Sequence, residues 1–583
     1  MKALILNSGV GSRMIGLNSC KCLIELADGV TILDAQIQAL LHSGIDDLYI
    51  TTGAHASELE TYARTRYRNV NLTFVHNPLF RHTNYIYSIH LARDLLLDDD
   101  VLLIHGDLVF EENVLLDVVA SDRSVMVTDS TRPLPEKDFK AVVTDGRIRN
   151  VNVDTFSGAV CAQPLYKLTR RDWSLWLDEV ERFCRQDMTG VYAENALNSI
   201  SDQMDLFPLD ITGRICFEID NNEDLECARD AYARRPDRLQ TVYSYPGARR
   251  HVRDIINGEG ARKPFVVCGH ARHDAEMLFG PDAVYFSEFT SNPGYHEIMA
   301  GISAFEEERC DFIVSIGGGS AIDTAKCVSI LVSGDALALR DTPRSRQLSI
   351  PTTAGTGSES TSIAVMYKEG IKQSIAHKGI MPDYAILDFD LLATLPMYHK
   401  KSALLDALCQ SIESLWARGK TRDSMSYAMG AIRIIQEDAD AYIIGSPGCS
   451  QRILNAANLS GKAINISKTT AAHAMSYKLS TMFGLAHGHA VALCLVYVWA
   501  HFLKSVNTSG FKASIDYDEF TKLFAGVGLE QNIFVQADEL ETVLQELVVS
   551  VNPERLGNHP VGLSETEIAC MYRRILRGSA QQA

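Results

Sequence analysis

Two glycine-rich segments are the places in this 583-residue sequence where residue type and spacing could support chemistry. The first is Asn7-Ser8-Gly9-Val10-Gly11-Ser12-Arg13-Met14, with Lys21 eight positions beyond Arg13. Glycines at 9 and 11 let a backbone approach a polyphosphate closely, so that the N–H groups around Ser12 point at its oxygens. Arg13 and Lys21 would then supply the positive charge. A G-x-G pair alone serves equally well as a tight strand-to-helix turn. The second segment runs from Ser315 to Lys326, where Gly317, Gly318 and Gly319 end an apolar run and Ser320 and Asp323 open a helical pattern. Free N–H groups and the helix dipole at such an end favour a pyrophosphate. Pro351 to Glu359 (P-T-T-A-G-T-G-S-E) adds small hydroxyl side chains on flexible backbone, with Thr352, Thr353 and Thr356 as candidate contacts.

The elements that must position these segments follow from periodicity. Up to about residue 230, short apolar runs (Ala3–Leu6, Asp47–Ile50, Leu72–Val75, Val101–Ile104) alternate with helical patterns near 31–43 and 85–97. That rhythm predicts a doubly wound α/β domain over 1–235, with ligands at the carboxyl ends of its strands. A charged helical pattern and Ser244-Tyr245-Pro246-Gly247 place a linker at 236–260. The rhythm restarts at Pro264 and gives an α/β half over 261–395; after Pro396 the pattern turns helical, over 396–583.

Composition narrows the function. A formal net charge of −18 argues against nucleic-acid and anionic-membrane surfaces, which need a basic face. Anionic small molecules must then be held by local Lys, Arg, N–H groups and cations. The thirteen cysteines are scattered, and the one close pair, Cys20 and Cys22, reads as filler rather than a metal or redox site. No apolar run approaches the roughly 18 residues a membrane span needs, and the first residues begin a strand rather than a signal peptide. A cytoplasmic location is expected, and a homo-dimer is compatible with the sequence.

G-x-G-S-R followed by Lys21 resembles the nucleotidyltransferases that make CDP-choline, CMP-phosphonates and sugar nucleotides, although Cys20-Lys21 stands where they usually have Pro-Lys. The resemblance implies two acidic ligands for Mg²⁺, which match Asp107 in His-Gly-Asp-Leu and Asp220 in Phe-Glu-Ile-Asp-Asn-Asn. Glu218, two residues before Asp220 in an extended pattern, is a secondary candidate. Asn84 and Ser88 resemble the N-x-x-x-S nucleotide segment of the phosphocholine branch, and Lys140 aligns with a lysine that family uses near the acceptor.

G-G-G-S-x-x-D-x-x-K together with P-T-T-A-G-T-G-S-E resembles the iron-containing alcohol dehydrogenases, which bind NADH or NADPH and hold Fe²⁺ or Zn²⁺ through one Asp and three His. Asp406, His473 and His487 fall at three of those ligands; at the fourth, four residues after the aspartate, stands Gln410. A glutamine offers only a neutral carbonyl oxygen, so Gln410 ligates, a water replaces it, or the site is metal-poor. The expectation is a retained but weakened metal site. Tyr477 replaces a further histidine of many members. Gly269, followed by His270 and Arg272, stands where NAD-preferring members carry an Asp, which removes repulsion toward a 2′-phosphate and makes NADPH an option.

The segments 383–388 and 404–413, Gln410 included, look like phosphonoacetaldehyde reductases. The combined expectation is reduction of phosphonoacetaldehyde to 2-hydroxyethylphosphonate and its CTP-dependent, Mg²⁺-dependent cytidylylation. The substrates are thus small phosphonates and CTP, with no nucleic-acid or membrane partner. The alternatives are a ketose-phosphate reductase with CDP-alditol formation, and a metal-poor protein that only senses nucleotide.

Overall fold

The computed structural model describes residues 1–9, 20–27, 29–234, 240–332, 338–505 and 515–578. It divides into two compact units, Met1–Arg238 and Leu239–Ala583.

In the first unit the strand Lys2–Asn7 lies between Asp47–Thr52 and Val101–His105 and runs parallel to both. Asn71–His76 extends the parallel side, while Ala159–Leu168 pairs antiparallel with Val101–His105 and carries the sheet on to Lys140–Thr144 and Val125–Asp129. Ala3, Leu4 and Ile5 are all fully buried, so consecutive side chains on opposite pleats both meet protein. A strand buried on both faces requires a layer on each side, which is the doubly wound arrangement. On the face of Leu4 and Leu6 lie Ile86, Ile89, Trp173 and Trp176. The expected helices are Ile32–His42, closed by a Thr31/Asp34 capping box, and Tyr85–Ala92, followed by the short turn Arg93–Leu95.

The second unit begins inside the stretch expected to be a linker. Thr241–Ser244 pairs in parallel with Tyr384–Leu387, and Val252–Gly258 is a helix, so 236–260 is not a free connection over its described part. The turn residues Pro246 and Gly247, the latter at φ 81°, are what made a strand-turn-helix look like a linker. The sheet is parallel throughout, ordered Thr241–Ser244, Tyr384–Leu387, Gln347–Pro351, Phe312–Gly317, Pro264–Val267, Val284–Phe286. A hairpin of Ile363–Lys368 and Ile371–Ala376 follows the glycine-rich second segment.

From Met397 on, the described residues form a helical assembly apart from one short strand pair, Ile533–Val535 with Leu576–Gly578. Met397–Trp416 runs 20 residues, and everything from Leu404 to Trp416 is buried. Ala471–Phe483 ends on Gly484 in the left-handed region (φ 64°), and His487–Ser505 starts three residues later.

Two close backbone approaches fix the halves of this unit to each other, and a third joins two helices of the helical half. A Cβ on Gly355 would lie 2.8 Å from Ala403 Cα, one on Gly461 2.3 Å from the Gly357 carbonyl, and one on Gly488 2.0 Å from the Ser402 carbonyl. The glycines of P-T-T-A-G-T-G-S-E therefore serve helix contact as much as loop freedom. Gly488→Ala should force the His487 helix off the Met397–Trp416 helix and lower stability by about 1–3 kcal/mol, the usual overpacking penalty. Calorimetry or chemical denaturation of the variant checks this; an unchanged midpoint would refute the contact.

Candidate active sites

The first unit holds a cavity of about 560 Å³ at the carboxyl end of Lys2–Asn7, lined by Ser8, Gly9, Lys21, Asn84, Tyr85, His105, Asp107, Tyr192 and Asp220 among others. Asp107 reaches it because the turn after Val101–His105 is pinned: Gln36 Nε2 donates to the carbonyls of His105 (2.9 Å) and Leu108 (2.8 Å). Gly106 leaves room there for the Asn7 side chain, whose amide a Cβ would displace. Ile219 N donates to the Asp107 carbonyl at 3.0 Å, which draws the chain before Asp220 to the same place.

Between the two acids lies Lys21, its Nζ 2.6 Å from Asp107 Oδ2 and 3.3 Å from Asp220 Oδ1. Burial works against its charge, yet the two carboxylates outweigh burial and hold its pKa above the ordinary lysine value. Two carboxylates already converging on a cation form an oxygen donor set that fits Mg²⁺. Next to them His105 Nδ1 sits 3.0 Å from Glu218 Oε1. Burial pushes the Glu218 carboxyl up to about 7 despite that contact. Glu218 thus faces His105 and Asp107, forming a second acidic and imidazole cluster.

In the second unit a cavity of about 830 Å³ opens between the α/β and helical halves. Asp406, Gln410 and Glu413 recur at helical spacing on Met397–Trp416, while His473 and His487 come from the next helices. Asp406 Oδ1 lies 3.5 Å from His473 Nε2 and 3.9 Å from His487 Nε2. Asp406 Oδ1 and His473 Nε2 are buried without a hydrogen-bond partner. Orphaned donor atoms aimed at a common point fit a divalent metal with nitrogen and oxygen ligands. Glu413 completes the arrangement: it accepts from His473 Nδ1, from Thr470 Oγ1 (2.6 Å) and from Ala472 N (2.8 Å), so His473 is left with Nε2 to present. Gln410 borders the cavity, its Oε1 accepting from Ser460 Oγ at 3.0 Å.

Tyr477 stacks on His487 (ring centroids 5.7 Å apart, planes 6° apart), and Lys372 Nζ stands 3.2 Å from the tyrosine ring centroid. Withdrawal from water, followed by the charge of Arg555, pushes the Lys372 ammonium down to about 7. On the other wall the Gly319–Ile330 helix, capped by Gly318, brings Gly319, Ser320 and Asp323 to the cavity, and the loop after Gln347–Pro351 brings Thr356.

Models of three families match the chain: a MobA-like NTP transferase domain at residues 3–176, an iron-containing alcohol dehydrogenase at 240–389, and its C-terminal family at 401–570. The chain joins an NTP transferase domain to an iron-containing alcohol dehydrogenase. Among curated relatives, the phosphonoacetaldehyde reductase of Streptomyces viridochromogenes is 36% identical over 205 residues, covering 32% of this chain and 52% of the relative. The probable alcohol dehydrogenase EutG of Escherichia coli is 33% identical over 214 residues, covering 35% and 54%. The chain thus spans about half the length of these relatives (52% and 54%). A sulfoacetaldehyde reductase structure from Bifidobacterium kashiwanohense with NAD⁺ shares the dehydrogenase fold, with TM-score 0.54, 24% identity, and coverage of 59% of this chain and 98% of that one. Among the described residues no helix is long and apolar enough to cross a membrane.

Several expected site residues stand elsewhere. Gly11, Ser12 and Arg13 lie outside the described residues. Lys140 is fully buried and does not border the transferase cavity: its Nζ donates to the carbonyls of Val153 (2.7 Å), Asp138 (3.1 Å) and Glu136 (3.4 Å). Ser88 is also fully buried, 2.7 Å from Ser8 Oγ and 3.0 Å from Asn77 Nδ2, and does not border the cavity. Asn84 borders the cavity and caps the Tyr85–Ala92 helix. In the dehydrogenase unit Gly317, Gly318, Thr352 and Thr353 form the turn rather than the cavity wall: Thr352 N donates to the Gly317 carbonyl at 3.0 Å. Asp323 borders the cavity but has both oxygens engaged, by Ser358 Oγ (2.6 Å) and Val365 N (3.0 Å). Arg272 is occupied by Glu276 at 2.6 Å and the Tyr285 ring. Cys20 and Cys22 both border the transferase cavity, their sulfurs 3.3 Å apart.

Sequence reasoning missed Glu413, which its position seven residues after Asp406 on one helix face could have revealed. It also missed Lys372 and Arg555, for which no pattern existed.

Two outcomes are expected. Glu413→Ala should weaken metal binding about 10- to 100-fold, the usual effect of losing a ligand's orienting partner; metal content after dialysis against graded chelator reads this directly. Lys140→Met should lower stability by about 1–3 kcal/mol by stranding buried carbonyls, while the folded fraction keeps its nucleotidyl-transfer rate. A rate loss in fully folded protein would return Lys140 to the reaction.

Proposed function

We propose that this chain is a bifunctional enzyme that reduces phosphonoacetaldehyde to 2-hydroxyethylphosphonate and then transfers CMP from CTP onto the phosphonate, releasing pyrophosphate. The observation that carries the reading is the fusion itself: one small molecule with both an aldehyde and a phosphonate serves both pockets. The phosphonoacetaldehyde reductase relative is named for such a molecule.

In the dehydrogenase unit Asp406, His473 and His487 would hold Fe²⁺ or Zn²⁺, with Gln410 beside them. The metal, when bound, supplies a Lewis acid for the aldehyde oxygen, and a bound nicotinamide supplies the hydride. Glu413 fixes the imidazole of His473, and the N-terminus of Gly319–Ile330 receives the cofactor pyrophosphate. Gly269 puts no carboxylate at the end of Pro264–Val267, so NADPH is accepted as well as NADH.

In the transferase unit a phosphonate oxygen forms a bond to the α-phosphorus of CTP as the bond to pyrophosphate breaks. Lys21 neutralises charge on that centre, and Asp107 and Asp220 would hold Mg²⁺. The loop around Gly9, supported by Ser8 and Ser88, receives the phosphates.

Phosphorus NMR of the protein with phosphonoacetaldehyde, NADPH, CTP and Mg²⁺ should show 2-hydroxyethylphosphonate, then a CMP-phosphonate and pyrophosphate. Asp107→Ala should abolish the second product and keep NADPH oxidation; Asp406→Ala should abolish reduction and keep cytidylylation of added 2-hydroxyethylphosphonate. Turnover of ketose phosphates alone would replace this reading with alditol activation, and no turnover of any of them would leave nucleotide sensing.

A further inference from the structure

Lys372 and Arg555 enter the dehydrogenase cavity from different halves of the unit. Lys372 lies on the hairpin strand Ile371–Ala376, and Arg555 on the short helix Pro553–Gly557. They meet at Tyr477: Lys372 Nζ is 3.2 Å and the Arg555 guanidinium carbon 5.7 Å from its ring centroid. The same ring stacks on His487, so a single tyrosine separates the two cations from the Asp406, His473 and His487 cluster.

Among the described residues neither cation has a carboxylate at ion-pair distance. Arg555 spends one arm of its guanidinium on Thr469 Oγ1, a neutral oxygen, and Asp323 has both oxygens engaged by Ser358 and Val365. The charges of Asp323 and then Asp406 act on Lys372 only at a distance. The face of the Tyr477 ring attracts both cations, yet the two like charges repel each other, and an anion placed between them would relieve that repulsion. An ammonium gives a point charge and a guanidinium a planar fork, a pair suited to a tetrahedral oxyanion. The cofactor pyrophosphate has its own place on the Gly319–Ile330 helix, so the anion here belongs to the other reactant.

We infer that Lys372 and Arg555 are the subsite for the anionic end of the substrate, a short aldehyde whose phosphonate, phosphate or sulfonate lies a few bonds from the carbonyl carbon. The aldehyde end rests on the reductase reading above; the anion end rests on the two cations. Tyr477 acts as the spacer that sets the distance between the ends. Only molecules of that reach place a carbonyl at the metal ligands and an oxyanion between the cations.

The test is steady-state reduction by the full-length, metal-loaded protein with phosphonoacetaldehyde, sulfoacetaldehyde and propanal, in wild type, Lys372→Gln, Arg555→Gln and the charge-retaining Lys372→Arg. The ratio of kcat/KM for phosphonoacetaldehyde to that for propanal should fall about tenfold or more in each Gln variant, as loss of one charged contact implies. Lys372→Arg should restore most of it, and inhibition of the wild type by methylphosphonate should weaken in the same order. A ratio unchanged within about twofold overturns the subsite, as does a rise confined to the KM for NADPH, which would assign the cations to the cofactor. If the wild type prefers sulfoacetaldehyde and the variants lose that preference, the subsite stands and the phosphonate reading falls.

Discussion

Asp406 brings a carboxylate into the interior of the helical half, at 2% exposure, with no hydrogen-bond partner for Oδ1. An ionised oxygen in that position is unfavourable unless a cation or several donors meet it. The surroundings are built accordingly. His473 and His487 turn nitrogen atoms toward Oδ1, Glu413 takes the far nitrogen of His473, and Gly488 lets the His487 helix pass within backbone contact of Ser402 and Asp406. Remove the glycine and the imidazole of His487 moves away; remove Glu413 and the tautomer of His473 is no longer set. The glycine contacts at 355, 357 and 461 in turn lock the loop at 351–359 to the helices that border the same cavity.

The transferase unit solves the same problem with a side chain of its own. Asp107 and Asp220 are 113 positions apart in sequence (220 − 107) and share the ammonium of Lys21. The pairing keeps the two carboxylates apart yet oriented before any nucleotide arrives. A divalent cation held by Asp107 and Asp220 would replace Lys21 at those oxygens and would leave its ammonium to meet a phosphate. His105 and Glu218, set just behind, add a second titratable pair to the wall.

What the sequence made legible divides along physical lines. Strands such as Ala3–Leu6 and Val101–Ile104 were readable because two-sided burial demands unbroken apolar runs. Lys21, Asp107, Asp220, Asp406, His473 and His487 were readable because strand ends and helix faces bring residues of fixed type to fixed places. Lys140 was misread for the opposite reason: the carbonyls of Glu136, Asp138 and Val153 that hold it are main-chain groups of turns, invisible to residue type. Ser88 was placed in the right neighbourhood with the wrong duty, since a hydroxyl that supports Ser8 and one that binds a ligand look alike in a sequence. The supposed linker failed because Pro246 and Gly247 signal a turn, and a turn inside a domain has the same composition as one between domains. Lys372 and Arg555 lie on a hairpin and a short helix with no period to mark them; only the fold around Tyr477 brings them together.

Gln410 takes its meaning from these neighbours. Its carbonyl oxygen already accepts from Ser460 Oγ, and that hydrogen bond draws electron density away from a neutral group that is a weak metal ligand to begin with. An imidazole there would complete a four-residue protein set. A glutamine leaves three strong ligands, the number that catalytic zinc sites keep when the fourth position belongs to water or substrate. The weakened ligand therefore need not mean a lost site. With a weaker ligand there, more of the hold on a substrate would fall to the cavity wall, where Lys372 and Arg555 offer charge that an uncharged alcohol or aldehyde could not use. Under the proposed function, a substrate with its own anion would compensate for the weaker metal ligand and one without it would not, so the glutamine would also narrow what the centre acts on.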